Sequence, residues 1–230
     1  MVSKQKVKLQ IDFLEFDGFL TLPPDAIGMV IFAHGSGSSH LSPRNNFVAQ
    51  ILNQKNIGTL LFDLLTPEED LVYENRFDID LLTQRLMATT NWLIEKLEKE
   101  ILPIGYFGSS TGTAAALKAS IAFNSNISAV VSRGGRPDLI SNDLKYVTVP
   151  LLLIVGGEDP ETLFLNQKAF CKVSSKEKNL KIIPSATHLF EEPGALEQAA
   201  EAAATWFEEY LCLPPQKEET IIAKREELDE

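Results

Sequence analysis

Short, uninterrupted apolar runs recur along this chain, and each gives way to a polar loop or turn before the next element begins. The clearest are residues 28–33, 58–62, 104–107 and 150–155, and further strands are expected at 127–132 and 180–183. A run of that length with no polar alternation is expected of a strand buried on both faces. Between the runs lie segments of helical periodicity, such as Phe47, Val48, Ile51 and Leu52, then Leu82, Leu86, Leu93 and Leu97, and finally Leu196, Ala200, Ala203 and Phe207. Strand and helix in alternation predict an α/β fold, a mostly parallel sheet with helices on both faces. Right-handed crossovers bring the loops that follow the strands to one edge of such a sheet, where ligands bind. His34, Asp63, Ser110, Arg133, Asp159 and His188 all fall in those loops.

The flanks of this pattern are simpler. Residues 7–11 alternate apolar and polar, and 14–22 do so loosely, which predicts an N-terminal antiparallel pair. The Asp17-Gly18 pair in the second run marks a turn or bulge on this reading. Residues 64–76 are polar and acidic and read as a loop. Only residues 134–149 separate two of the strands, too few for a helical cap domain, so the site is expected to be open. Pro214-Pro215 stops the last helix. Residues 1–213 are therefore expected to form a single domain, and 214–230 a flexible, charged C-terminal tail.

Charge and cysteine usage narrow the classes of function. A net charge of -11, from 21 Lys and Arg against 32 Asp and Glu, makes nucleic acid and anionic membrane poor partners. The two cysteines, Cys171 and Cys212, form neither a disulfide framework nor a zinc pattern and read as reduced packing residues. No signal peptide and no membrane-spanning run is visible, so a cytoplasmic location is expected. The sequence leaves the oligomeric state open.

Gly108-Ser109-Ser110-Thr111-Gly112 has the form G-x-S-x-G, between the apolar run 104–107 and the small residues 113–116. A serine at the centre of a tight strand-to-helix turn presents its hydroxyl at the end of the sheet. The plainer reading is a glycine- and serine-rich turn. A serine nucleophile needs a base. Of His34, His40 and His188, the last follows the final strand and lies on the correct edge, while His34 reads as a loop-former. The base in turn needs a carboxylate on its far nitrogen. Asp159 fits, with Glu158 as competitor, and Ser110, Asp159 and His188 stand in the chain order that nucleophile-elbow hydrolases use. Asp159 also reads as an N-cap, with Pro160 at the first helical position. The backbone N–H groups of Thr111 and Ser36 are the candidate oxyanion donors. Arg133 and Arg136 sit beside this edge, either as anchors for an anionic group of the substrate or as ion-pair partners of Asp138 or Glu158.

His34-Gly35-Ser36-Gly37, Gly108-Ser109-Ser110-Thr111-Gly112, Gly156-Gly157-Glu158-Asp159 and Ala186-Thr187-His188 together resemble an α/β-hydrolase, and within that fold the dienelactone hydrolase family. The resemblance runs from about residue 28 to 210. Dienelactone hydrolases proper use a cysteine nucleophile, whereas Ser110 stands at that place here, so the dienelactone substrate is not carried over. The resemblance implies serine-esterase chemistry on a small-molecule carboxylic ester, lactone or similar acyl compound. No metal or organic cofactor is expected, and neither a dinucleotide fingerprint nor a phosphate loop is present in the sequence. Two other readings stand beside this one: a catalytically silent binding module on the same fold, and an acyltransferase using the same residues.

Overall fold

The computed structural model describes residues 4–97, 102–123 and 126–211. The expected tail from residue 214 onward and Cys212 lie outside these residues. The chain opens with a hairpin of β1 (Lys4–Ile11) and β2 (Leu14–Thr21), joined at Asp12 and Phe13. Asp17 and Gly18 are interior positions of β2, paired with Lys8 and Val7, and not a turn. The glycine answers a different need: a Cβ at position 18 would lie 2.7 Å from the carbonyl oxygen of Leu61 on the neighbouring strand.

The remaining strands are β3 (Gly28–Ala33), β4 (Ile57–Phe62), β5 (Ile104–Ser109), β6 (Ile127–Arg133), β7 (Leu151–Gly156) and β8 (Lys178–Ile183). They form one sheet in the order β1-β2-β4-β3-β5-β6-β7-β8. Pairing is antiparallel for β1 with β2 and β2 with β4, and parallel from β4 to β8. Every residue of β3, β4, β5 and β7 is buried, as their continuous apolar runs require.

Helices cover both faces. On one side, α1 (Pro43–Gln54) and α6 (Ala195–Tyr210) pack Val48, Leu52, Ala200 and Phe207 against Val30, Phe32, Phe107 and Val131. On the other lie α3 (Ile79–Leu97), α4 (Thr111–Phe123) and α5 (Pro160–Lys172), whose Leu82, Leu86, Ala115 and Ala169 meet Ile31, Tyr106, Val130 and Leu153. The alternation of strand side chains between the two clusters follows from the period of two. Cys171 of α5 is exposed, contrary to a packing role.

The stretch after β4 is more ordered than its acidic composition suggests. It holds a short helix α2 (Pro67–Asp70) and a 3-10 turn at Tyr73–Phe77. The helix forms because Thr66 and Glu69 make a reciprocal capping box, with Pro67 in the first turn. Between β6 and β7 there are only two 3-10 turns, Pro137–Ile140 and Leu144–Tyr146.

Candidate active site

The turn between β5 and α4 is tight because of what its glycines approach. A Cβ on Gly112 would lie 2.1 Å from the carbonyl oxygen of Ala33, and one on Gly108 would lie 2.6 Å from the Cα of Thr113. The helix therefore starts against the end of β3, and Ser110 is forced to a φ of 49°. A non-glycine residue in that left-handed region is strained and persists only where surrounding structure holds it. Here the backbone is tied on both sides. Ser110 N–H donates to Arg133 O at 3.3 Å, and Ser110 O accepts from Thr113 and Arg136 N–H at 3.1 and 3.0 Å.

The loops that follow β7 and β8 are joined to each other. Gly157 N–H donates to Ile183 O at 2.8 Å, and Glu158 N–H donates to Ala186 O at 2.9 Å. Gly156 and Gly157 allow this approach, since Cβ atoms there would stand 2.2 Å from Ala186 O and 2.5 Å from Pro184 O. The joined loops bring Asp159 to His188. The imidazole Nδ1 lies 2.7 Å from Asp159 Oδ2, while Asp159 Oδ1 accepts the Thr162 N–H at 3.3 Å as the N-cap of α5. The same carboxylate thus contacts His188 and caps α5, and Glu158 is exposed. Burial alone would raise the Asp159 pKa, but hydrogen bonds from Thr162 and His188 outweigh it and hold the carboxyl below its ordinary range. With Nδ1–H donating to Asp159, the neutral imidazole carries its lone pair at Nε2. The Thr187-His188 turn is held from the far side by Glu192, which accepts from Thr187 N–H at 3.0 Å and Thr187 Oγ1 at 2.5 Å.

Ser110 and His188 line one cavity of about 230 Å³, together with Gly35, Ser36, Asn45 and Arg133. Thr111 opens α4, so its N–H is among the four without an intrahelical acceptor. Ser36 N–H has an acceptor already: it donates to Thr111 Oγ1 at 2.9 Å. The threonine hydroxyl reaches across the turn to the glycine-rich loop, a contact that requires the β5–α4 and β3–α1 loops to be adjacent.

The other histidines are occupied elsewhere. His34 is buried, with Nδ1 2.9 Å from Gly35 O and Nε2 accepting the Leu64 N–H at 3.0 Å, and burial drives its pKa down. His40 is held by Asp63 at 2.9 Å. Among the described residues, no group of three or more His, Cys, Asp or Glu side chains is placed to hold a metal ion.

The two arginines part company. Arg136 forms a bidentate pair with Asp138, both contacts at 2.8 Å, and does not line the cavity. Arg133 is buried and pairs with neither Asp138 nor Glu158. Its Nη2 lies 3.2 Å from Asn45 Oδ1 and 3.4 Å from Ser109 Oγ. Asn45, Ser109 and Thr162 were not singled out in the sequence. Thr162 had a local signal, three residues after an Asp-Pro cap, whereas Asn45 depends on where α1 docks.

An eight-stranded sheet in this order, with a strained serine turn after β5 and a histidine after β8, defines an α/β-hydrolase fold. A dienelactone hydrolase from Anabaena variabilis matches at 46% identity and a TM-score of 0.87, over 91% of this chain and 99% of that one. The chain belongs to the dienelactone hydrolase-like α/β-hydrolases. Est1E from Butyrivibrio proteoclasticus (15% identity, TM-score 0.71, 89% of this chain and 98% of that one) shares the fold. So does a cold-adapted esterase from an Arctic intertidal metagenomic library (17%, 0.73, 91% and 94%). No protein-family model matches the chain. In two strains of Mycobacterium tuberculosis, a protein bearing the name "Putative phosphoribosyl transferase" is 53% identical over 197 residues. That match covers 86% of this chain and 44% of the relative, so the chain spans less than half the length of these curated relatives.

Proposed function

We propose that this protein is a serine hydrolase that cleaves a small carboxylic ester, lactone or similar acyl compound through an acyl-enzyme. The observation that carries the reading is the strained Ser110 turn sharing a cavity with His188, whose Nδ1 is held by Asp159 at 2.7 Å. His188 Nε2 takes the hydroxyl proton of Ser110 as Oγ forms a bond to the acyl carbon. The oxyanion faces the N–H of Thr111 and the N–H of Ser36, which exchanges Thr111 Oγ1 for the new charge. Collapse breaks the acyl–oxygen bond, and His188 returns the proton to the departing alcohol. Water then adds to the acyl-enzyme with His188 as base, releasing the acid and free Ser110.

The test is pre-steady-state hydrolysis of p-nitrophenyl acetate by wild type and Ser110→Ala. A stoichiometric burst of p-nitrophenol followed by slower turnover is expected of wild type alone. Equal, burst-free rates in both proteins would remove the acyl-enzyme. Adding methanol during turnover separates hydrolysis from acyl transfer by the yield of methyl acetate.

The name of the mycobacterial relatives supports a second reading, transfer of a phosphoribosyl group. That name belongs to a protein of which this chain spans 44%. Incubation with phosphoribosyl pyrophosphate and a panel of nucleobases decides it: release of pyrophosphate above the background of heat-inactivated protein would favour the transferase.

A further inference from the structure

Asn166 lies in the second turn of α5 and is wholly buried. Its Nδ2 donates to Gly135 O at 2.9 Å and to Thr162 O at 2.8 Å. Both partners are carbonyl oxygens, so the nitrogen of the amide must face them and not its oxygen. Among the described residues the buried Oδ1 has no hydrogen-bond partner. A buried amide satisfied at one end only costs the fold stability. The side chain is therefore to be explained by what its nitrogen joins.

One end is the turn 134–136 that follows β6. Gly135 presses this turn onto the start of α4, since a Cβ there would lie 2.0 Å from Ser132 Oγ and 2.5 Å from Thr113 Oγ1. Arg136 N–H donates to Ser110 O at 3.0 Å, so the turn holds the backbone of the strained serine. Gly134, at a φ of 54°, packs against the imidazole: a Cβ there would stand 3.5 Å from His188 Cε1 and 3.6 Å from Nδ1. The other end is the first turn of α5. Thr162 N–H donates to Asp159 Oδ1 at 3.3 Å, and Thr162 Oγ1 lies 3.5 Å from His188 Nδ1. Hydrogen bonds and short pieces of backbone thus run from Ser110 O through Arg136, Gly135, Asn166 and Thr162 to Asp159.

We propose that Asn166 is a positioning residue that sets the distance between Ser110 and the Asp159–His188 pair. This rests on the serine-hydrolase reading of those three residues. The amide touches none of them. It acts by tying the turn that holds Ser110 to the helix end that holds Asp159. Cutting the tie lets the two sides move independently, and a displacement of about 1 Å between nucleophile and base is enough to slow proton transfer severely. Substrate binding does not pass through the tie, so its loss falls on kcat and spares KM.

Two measurements test this. The first is amide hydrogen exchange read by NMR, which does not depend on catalysis. In wild type the Asn166 side-chain amide should exchange about 100-fold or more slowly than that of Asn179, which is exposed. In Asn166→Ala the Arg136 and Thr162 backbone amides should both exchange about tenfold faster or more, while the amides of α1, on the other face of the sheet, keep their rates. An unprotected Asn166 side chain, or unchanged exchange at either amide, would overturn the proposal. The second is hydrolysis of p-nitrophenyl acetate, measured well below the urea transition of each variant. Asn166→Ala should lower kcat about 10- to 100-fold with KM within about twofold. Asn166→Ser keeps a donor for Thr162 O on a stem too short to span to Gly135, so it should lose as much; it also serves if the alanine variant does not fold. Faster exchange with an unchanged kcat would assign Asn166 to stability alone. If wild type hydrolyses nothing, the serine-hydrolase reading fails, while faster exchange at both amides still upholds the tie between them.

Discussion

Asp159 and His188 are joined by a carboxylate that does two things at once. Oδ2 lies 2.7 Å from the His188 Nδ1, and Oδ1 accepts the Thr162 N–H that begins α5. The carboxylate is therefore positioned by a helix end, and the imidazole inherits that position. The Asp159 side chain is 13% exposed while that of His188 is 42% exposed.

Replacing Asp159 by Asn should lower kcat on the order of 10³- to 10⁴-fold, because the amide favours the wrong imidazole tautomer. KM should change little. Steady-state kinetics with p-nitrophenyl acetate check this. A loss under tenfold would mean that the pair orients nothing that the reaction uses.

Thr162→Val keeps the backbone N–H that caps onto Asp159 but removes Oγ1, which lies 3.5 Å from His188 Nδ1. The hydroxyl also helps hold the Asp159 carboxyl ionised. A fall in kcat of roughly three- to tenfold with KM unchanged is expected, in proportion to one weak hydrogen bond.

Gly156→Ala places a Cβ 2.2 Å from the Ala186 carbonyl oxygen. The β7 and β8 loops must separate to admit it, so Asp159 and His188 move apart. Stability should fall by about 1–3 kcal/mol, as for other forced overpacking, and kcat should fall with it. Chemical denaturation and ester kinetics on the same preparation measure both.

His34 gives the fold a dependence on pH. It is buried, neutral and accepts the Leu64 N–H at Nε2, and burial lowers its pKa from the ordinary 6.5. Below pH 6.5 the unfolded chain takes up a proton that the folded one refuses, so stability falls as pH falls. The slope should approach about 1.4 kcal/mol per pH unit until the lowered value is reached. His34→Gln should flatten that slope in urea titrations between pH 7 and 5, even if it is less stable throughout. An unchanged slope would place the titration elsewhere.

Much of this was legible in the sequence because buried parallel strands write themselves as apolar runs. Runs such as Gly28–Ala33 and Leu151–Gly156 therefore located the sheet edge whose loops carry Ser110, Asp159 and His188. What was not legible depends on approach between distant segments. Gly18 looks like a turn residue until the Leu61 carbonyl is seen against it. Ser36 looks like a free donor until Thr111 Oγ1 is seen 2.9 Å away. Arg133 and Arg136 look alike in the sequence, yet one finds Asp138 two residues on and the other points among Phe107, Asn45 and Ser109. The capping box at Thr66 and Glu69 was readable, but the acidic composition around it pointed to a loop.

The central claim is that Ser110 is an activated nucleophile. Labelling with a fluorophosphonate, read by intact mass, tests it most directly on wild type, Ser110→Ala and His188→Ala. A single adduct on wild type is expected, none on Ser110→Ala, and labelling slowed by roughly 10³-fold or more on His188→Ala. No adduct on wild type, together with no hydrolysis of p-nitrophenyl acetate, would contradict the account and leave the chain a binding module on a hydrolase fold.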